Sequence, residues 1–215
     1  MSGCGKSSFI NRLRGLTPDD EILENEDGEE MLNPIYAAVG VTESTTLRRG
    51  YIFPENPQIT IWDLPGANTT KFPISRYAEE IKFKDYDAFI ILTKDRFYET
   101  DKEIAKQIRE LGKPFFFART QMDTTMQNEA SDRGRKFNEE ETKEMIRRNC
   151  REELDDPEQE IFLLSKKKKI TVEAGKKEVE VTFPDNDLLK IAVSKINFLL
   201  PPCLTITNMI RCSTA

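Results

Sequence analysis

A glycine-rich segment with a lysine and two serines opens the sequence, and its residues are Gly3, Cys4, Gly5, Lys6, Ser7 and Ser8. Glycines let successive backbone N–H groups point at phosphate oxygens, and the N-terminus of a following helix adds its positive end. A lysine at this place reaches the β and γ phosphates of a nucleotide, and the next hydroxyl is a ligand for Mg²⁺. We therefore predict a phosphate-binding loop in which Lys6 contacts phosphate and Ser7 binds the metal ion.

Further groups able to bind metal and phosphate surround a predicted strand. Asp63 ends this strand, and Gly66 lies in the Leu-Pro-Gly turn that follows. An aspartate here can hold the Mg²⁺ shell through water, and the Gly66 N–H can meet a γ-phosphate. Before the strand come Thr42, Thr45 and Thr46, where a switch hydroxyl would contact Mg²⁺ and the γ-phosphate.

The loops after two later strands carry groups suited to a purine base. Thr120 and Asp123 follow a strand of three phenylalanines, and Ser165 and Lys166 follow the next strand. Because a carboxylate only accepts hydrogen bonds, it can take both the N1–H and the N2–H of guanine, which adenine cannot reciprocate. A backbone N–H of the second loop would meet guanine O6. These loops predict a nucleotide site that selects guanine.

The elements that must hold these loops alternate between helix and strand. Apolar residues at helical spacing predict helices, and continuous or alternating apolar runs predict strands. This alternation indicates an α/β fold with a mostly parallel sheet, helices on both faces, and ligands bound at the carboxyl ends of the strands. We predict helices over residues 7–14, 101–111, 139–154 and 187–200, strands over 58–63, 88–92, 115–118 and 161–164, and an inserted β-hairpin over 169–183.

Two charged stretches and one helix face complete the prediction of elements. The acidic run over residues 19–30 predicts a solvated loop. The four lysines of residues 166–169 predict a solvated surface ribbon, with a membrane or partner contact as the alternative. The last helix is expected to turn its apolar residues inward, and these are Leu188, Leu189, Ile191, Ala192 and Ile196.

Composition excludes several classes of function. The chain has 215 residues and no histidine, which removes Ser-His-Asp and Cys-His nucleophiles and HExxH zinc sites. Its net charge of -6 offers no basic excess for a nucleic-acid partner. No apolar run approaches the ~20 residues of a membrane span. The four cysteines form no CxxC pair, so we expect reduced thiols and a cytoplasmic protein; they are Cys4, Cys150, Cys203 and Cys212.

Taken together, the motifs resemble the immunity-related GTPases, the interferon-inducible family of vertebrates. The segments that carry the resemblance are G-K-S-S-F-I-N-R-L-R-G-L (5–16), G-V-T-E-S-T (40–45), W-D-L-P-G (62–66), F-F-F-A-R-T-x-x-D (115–123), R-R-N-C (147–150) and I-F-L-L-S (161–165). The resemblance implies a P-loop G domain that binds GTP or GDP with Mg²⁺ and hydrolyses GTP slowly. It also implies nucleotide-dependent homo- or hetero-oligomers with related GTPases and dynamin-like action at intracellular membranes in defence.

By position, the resemblance implies roles for individual residues. Lys6 and Ser7 serve phosphate and Mg²⁺, Thr45 is the switch threonine, and Asp123 binds guanine. The candidate catalytic residues are thus Lys6, Thr45 and Gly66, and the candidate metal residues are Ser7, Thr45 and Asp63. The family has a lysine at the position of Gln121, where its stem braces the base, so we expect a lower guanine affinity with Asp123 keeping the discriminating contact.

The resemblance also sets expectations about the extent of the domain. The phosphate-loop pattern needs a glycine five residues before Gly5, so the chain is expected to begin inside its own motif, as an incomplete gene model would. The strand before Gly3 is therefore predicted to be missing, and its neighbours in the sheet to lose their ladder partners. We assign residues 1–200 to the G domain and 201–215 to a C-terminal remnant, with the helical domain of the family absent.

Three functions fit the sequence. The first is an active GTPase, in which acceleration requires a second G domain because Ala67 stands where small GTPases carry a water-positioning glutamine. The second is a nucleotide-binding or decoy module without turnover, which Gln121 favours. The third is an ATP-using P-loop enzyme, which Asp123 disfavours.

Overall fold

Helices and strands alternate along the chain in the computed structural model, which describes residues 6–24, 30–32, 35–37, 48–66, 73–94, 99–195 and 204–210. The helices are α1 (Lys6–Leu13), α2 (Ile74–Ile81), α3 (Glu99–Glu110), α4 (Met122–Arg133), α5 (Glu139–Glu153) and α6 (Asp185–Lys195). The strands are β1 (Ile22–Glu24), β2 (Glu30–Leu32), β3 (Arg49–Ile52), β4 (Ile59–Asp63), β5 (Ala88–Thr93), β6 (Phe115–Arg119), β7 (Ile161–Leu163), β8 (Lys169–Ala174), β9 (Lys177–Thr182) and β10 (Leu204–Ile210). Short 3-10 turns cover Pro18–Glu21, Phe83–Asp85 and Gly134–Lys136.

The main sheet has six strands in the order β3-β4-β10-β5-β6-β7. All neighbouring strands are parallel except β3, which pairs antiparallel with β4 at the edge. Parallel strands need crossover connections, and helices provide them here. The predicted α/β class with a mostly parallel sheet is confirmed.

Helices cover both faces of this sheet, as predicted. Along β5 every residue is buried, and successive side chains enter different cores: Phe89 and Ile91 pack on one face, and Ile90 and Leu92 on the other. The first core contains residues of α2, α3, α4 and α5 together with the β8–β9 hairpin, and the second contains residues of α1 and α6. A continuous apolar run is the pattern that a strand covered on both faces requires.

The centre of the sheet corrects one expectation. β10 lies between β4 and β5 and pairs in parallel with both, with Thr207 opposite Trp62 on one side and Phe89 on the other. The predicted loss of ladder partners beside a missing strand is therefore wrong, because residues 204–210 supply backbone partners to both neighbours. The sequence analysis had predicted no element in the segment 201–215.

Two local predictions are also corrected. The acidic run over 19–30 is not a plain loop, since β1 and β2 form a short antiparallel hairpin that pairs Ile22 with Leu32 across the acidic segment. In α6 the buried stripe is Leu189 and Val193, whereas Leu188 and Ile191 are about half exposed. Ile196 of the predicted inward set lies outside the described residues. The other predicted residues span too much of the helix circumference for one face, and the i, i+4 pair of Leu189 and Val193 meets the sheet.

Other elements follow their predictions closely. The four predicted helices appear as α1, α3, α5 and α6, and the inserted hairpin appears as β8 and β9. Gly15 and Gly112 end the first two of these helices with positive φ angles of 78° and 67°. The structure adds β3, α2 and α4, which the sequence analysis had not predicted. In the described ranges no helix combines the length and the apolarity that crossing a bilayer demands.

Candidate nucleotide-binding site

The predicted site residues gather at the carboxyl edge of the sheet. Asp63 is the last residue of β4, Thr120 follows β6 directly, and Ser165 lies just after β7. Since these three strands are parallel, their carboxyl ends lie at the same edge, where open α/β sheets bind ligands. Helix α1, which begins at Lys6, packs against β4 beside this edge.

Lys6, Ser7 and Ser8 form the first turn of α1 and are half-buried. The leading N–H groups of a helix have no intrahelical acceptor, so they can bind an anion such as phosphate. The other predicted members of the phosphate and switch segments lie outside the described residues; these are Gly3, Cys4, Gly5, Thr42, Thr45 and Thr46.

Side chains at the end of α1 and directly after it fix this helix to the segments around it. The buried Asn11 donates from Nδ2 to the Ala37 carbonyl and accepts from the Ala37 N–H through Oδ1, both at 2.8 Å. Arg14 donates to the carbonyl oxygens of Ile35 and Ile52 and lies 5.0 Å from the centre of the Tyr51 ring. Buried backbone groups that are satisfied in this way hold the phosphate helix in one orientation.

The donor set for a metal ion fits Mg²⁺. Ser7 offers a hydroxyl in the first turn of α1, and Asp63 offers a carboxylate that is 3% exposed, on the neighbouring β4. Hydroxyl and carboxylate oxygens are the ligands that Mg²⁺ prefers, usually together with water and nucleotide phosphates. Within the described residues no group of three or more His, Cys, Asp and Glu could hold a metal ion. The chemistry of these residues therefore suits an ion shared with a phosphate ligand.

The turn after β4 is held from below. Tyr77 is a buried residue of α2, and its hydroxyl donates to the Pro65 carbonyl at 2.6 Å. Leu64 is fully buried, whereas Gly66 is half-buried, and a Cβ at Gly66 would meet no atom of the described residues within 4 Å. The turn is thus anchored on its core side and open beside Gly66, as a contact to a γ-phosphate requires.

The loop after β6 is fixed through its backbone. Thr120 donates to the Thr93 carbonyl from both its N–H and its hydroxyl, at 2.8 and 3.2 Å. Gln121 adopts the left-handed region with φ 58°, and α4 begins immediately after it. Asp123 lies in the first turn of α4, half-buried, where the helix dipole favours a negative charge. The acceptor that the sequence predicted for guanine is therefore held at a helix N-terminus beside the sheet edge.

The loop after β7 lies against the loop after β6. The Met122 N–H donates to the Leu164 carbonyl at 3.1 Å, which ties the two loops together. Asn186, in α6, makes a two-sided contact with the buried Ser165: its Nδ2 donates to the Ser165 carbonyl and its Oδ1 accepts from the Ser165 N–H. The backbone N–H and carbonyl of Ser165 are thus both hydrogen-bonded within the protein. The N–H that can face guanine O6 is therefore that of the exposed Lys166.

The sequence analysis did not identify Asn186 or its neighbour Asp185. Asp185 accepts from the Leu163 N–H at 2.7 Å and from Arg147 at 2.9 Å, so both residues bind the end of β7. The available signal was weak: Asp and Asn at the start of a predicted helix are common as caps, and such a cap explains them without any tertiary contact. Only the packing of α6 against β7 shows their second use.

Residues 1–176 of the chain match the family model described as Interferon-inducible GTPase (IIGP). The chain belongs to the interferon-inducible GTPase family. It is 40% identical over 167 residues to mouse T-cell-specific guanine nucleotide triphosphate-binding protein 2 and 40% identical over 169 residues to mouse Interferon-inducible GTPase 1. It is 34% identical over 169 residues to rat Interferon-inducible GTPase 5.

These matches cover most of this interferon-inducible GTPase chain but a minor part of its relatives. The three alignments span 76%, 77% and 76% of the chain and 37%, 38% and 33% of the relatives. The chain thus spans about a third of the length of these relatives. Family membership supports a GTP-binding, immunity-related protein and agrees with the guanine preference that Asp123 predicts.

Proposed function

We propose that this chain binds GTP and GDP together with Mg²⁺ and hydrolyses GTP slowly. The observation that carries the proposal is the hydrogen bond from the Met122 N–H to the Leu164 carbonyl, which joins the loop of Asp123 to the loop of Ser165 and Lys166. One loop supplies an acceptor for N1–H and N2–H, and the other supplies a donor for O6. Adenine has an acceptor at N1, only a C–H at C2 and a donor at its 6-amino group, so the arrangement favours guanine.

Hydrolysis on this scaffold relies on positioning and on neutralising charge. Lys6 would hold the β and γ phosphates, and the N–H of Gly66 would contact the γ-phosphate. Mg²⁺, when bound by Ser7, Thr45 and Asp63, supplies neutralisation of charge on the phosphate oxygens. The sequence has no histidine, and Ala67 cannot orient an attacking water. A slow basal rate follows from these residue types.

A titration with fluorescent GDP and ADP analogues tests the nucleotide assignment. We expect GDP to bind at least about a hundredfold more tightly than ADP, because a site built for hydrogen bonds rejects a base that leaves its polar groups unpaired. The Lys6→Ala variant should weaken both nucleotides, since it removes a phosphate contact that does not depend on the base. Equal affinities of the wild-type chain for GDP and ADP would reject the proposal.

We further propose that turnover requires pairing of G domains, with related GTPases or with a second copy, at intracellular membranes in defence. The support is the lack of a side-chain base or water-positioning glutamine in the chain, which a partner would have to compensate. GTP turnover measured over a range of protein concentrations is expected to show a specific activity that rises with concentration. A specific activity that stays constant as the protein concentration rises would contradict the pairing proposal.

A non-hydrolysing nucleotide-binding module is the second candidate. It is favoured by Gln121 and Ala67, which replace a family lysine and a small-GTPase glutamine. Single-turnover assays with excess protein separate the two candidates. Detectable phosphate release under those conditions supports the GTPase, whereas tight GDP and GTP binding with no release supports the module.

A further inference from the structure

Arg12, in the last turn of α1, links the phosphate helix to the loop after β7. Its Nη1 donates to the carbonyl oxygen of Ser165. The neighbouring Asn11 and Arg14 contact residues 35–37 and the end of β3 instead. Arg12 thus directs a cation from α1 toward the loops that would hold the base.

The Ser165 carbonyl does not need Arg12 to be satisfied. Asn186 Nδ2 already donates to the same oxygen at 3.1 Å, and Asn186 Oδ1 accepts from the Ser165 N–H at 3.2 Å. A buried carbonyl with one good partner gains little from a second neutral donor. Arg12 adds a positive charge and a planar, fork-shaped guanidinium group with several hydrogen-bond donors.

That charge lies within electrostatic reach of Asp123. Desolvation lowers the pKa of Arg12, and the negative charge of Asp123 partly offsets the effect. Across the described residues, Asp123 is in no ion pair at direct contact distance. Its carboxylate oxygens can therefore accept hydrogen bonds from a ligand.

The residues around the loop after β6 do not offer Asp123 a positive charge of this kind. Gln121, two positions before Asp123, is neutral. Arg119, at the end of β6, lies against Cys150 of α5, which belongs to the core on the opposite face of the sheet. Arg12 approaches from α1, on the face that contains Ile10 and Leu13.

We propose that Arg12 is a positioning residue for guanine recognition, which braces the turn at Ser165 with a cation that faces the loop of Asp123. This inference rests on the proposed binding of guanine nucleotides. Arg12 contacts neither phosphate nor base in this role. It acts through the two loops that contact the base.

The test measures the ratio of GDP to ADP affinity in the folded Arg12→Gln variant. We expect GDP to bind about tenfold more weakly, the loss typical of one hydrogen bond to a charged group. Binding of ADP and competition by inorganic pyrophosphate should not change, because neither engages the base loops. Arg12→Lys, which keeps the charge but not the fork, should recover part of the lost GDP affinity.

Arg14→Gln is the matched control, since it removes the same charge from the residue directly after α1, which contacts Ile35 and Ile52 instead of Ser165. It should leave the GDP to ADP ratio at the wild-type value. An unchanged ratio in Arg12→Gln, or equal weakening of GDP, ADP and pyrophosphate, would overturn the proposal. If Arg12→Gln does not fold, the Arg12→Lys variant decides the test. A GDP to ADP affinity ratio and a GDP affinity equal to the wild-type values would then contradict the role given to the guanidinium group of Arg12. Absence of GDP preference in the wild-type chain would instead reject the proposed function itself.

Discussion

Replacing Thr207 with proline is expected to remove most of the stability of the domain. Thr207 lies at the middle of β10, opposite Trp62 of β4 and Phe89 of β5. Proline removes a backbone donor from a strand that is paired on both sides, and its ring does not fit a central position. We expect a loss of about 3 kcal/mol or more, out of the roughly 5–15 kcal/mol that stabilise a domain. Urea unfolding followed by far-UV circular dichroism measures it.

Thr207→Ala is the control for the side chain, because it keeps the backbone N–H. Strand propensities span only about 1 kcal/mol, so this variant should unfold close to the wild-type midpoint. A Thr207→Pro variant with the wild-type urea midpoint and slope would contradict the central placement of β10. The pair of variants thus isolates the backbone pairing from any effect of the threonine side chain.

The second large effect is expected from Asp123→Asn, which should exchange the base preference of the site. The carboxylate accepts from both N1–H and N2–H of guanine, whereas an asparagine amide offers one acceptor and one donor. Two charge-assisted hydrogen bonds are weakened, so the affinity for GDP should fall about a hundredfold or more. Xanthosine diphosphate carries a carbonyl at C2 that can accept from the amide, and its affinity should rise. Competition between the two nucleotides measures the exchange.

Asp132→Asn provides the matched control on the same helix. Asp132 is exposed near the other end of α4 and loses the same charge on substitution. GDP and xanthosine diphosphate should bind this variant as they bind the wild-type chain. Unchanged GDP binding by Asp123→Asn would show that the carboxylate does not contact the base, and the guanine assignment would then be wrong.

Local sequence patterns predicted the elements that their own residues determine. Phe89 to Leu92 form a continuous apolar run, and the strand is buried on both faces because such a run has no polar side to expose. Gly112 ends α3 because its positive φ is accessible to glycine at little cost. The loop positions of Asp63, Thr120 and Ser165 followed from the same reasoning, since polar residues directly after buried strands lie at one edge of a parallel sheet.

Long-range contacts could not be predicted in this way. Residues 204–210 alternate apolar and polar side chains in part, but the pattern does not say which strands lie beside them. The same holds for Asn186, whose type suits a helix cap, and for Arg12, whose type suits an exposed helix position. Their roles depend on what packs against them, which local periodicity does not encode. The prediction of which α6 residues are buried failed for a related reason, because an apolar helix can turn either of two adjacent stripes toward the sheet.

The position of β10 also has a kinetic consequence. Its pairing with β4 joins residues that lie far apart in the chain, as Leu204 does with Ile59, and this closes the largest loop of any pair in the sheet. Loop-closure entropy makes such contacts late and slow to form. Until β10 docks, β4 and β5 each present an open edge with unpaired backbone groups, which is the kind of surface that recruits other chains. The centre of the sheet is thus open to association with other chains before β10 docks, and it is protected once β10 pairs with β4 and β5.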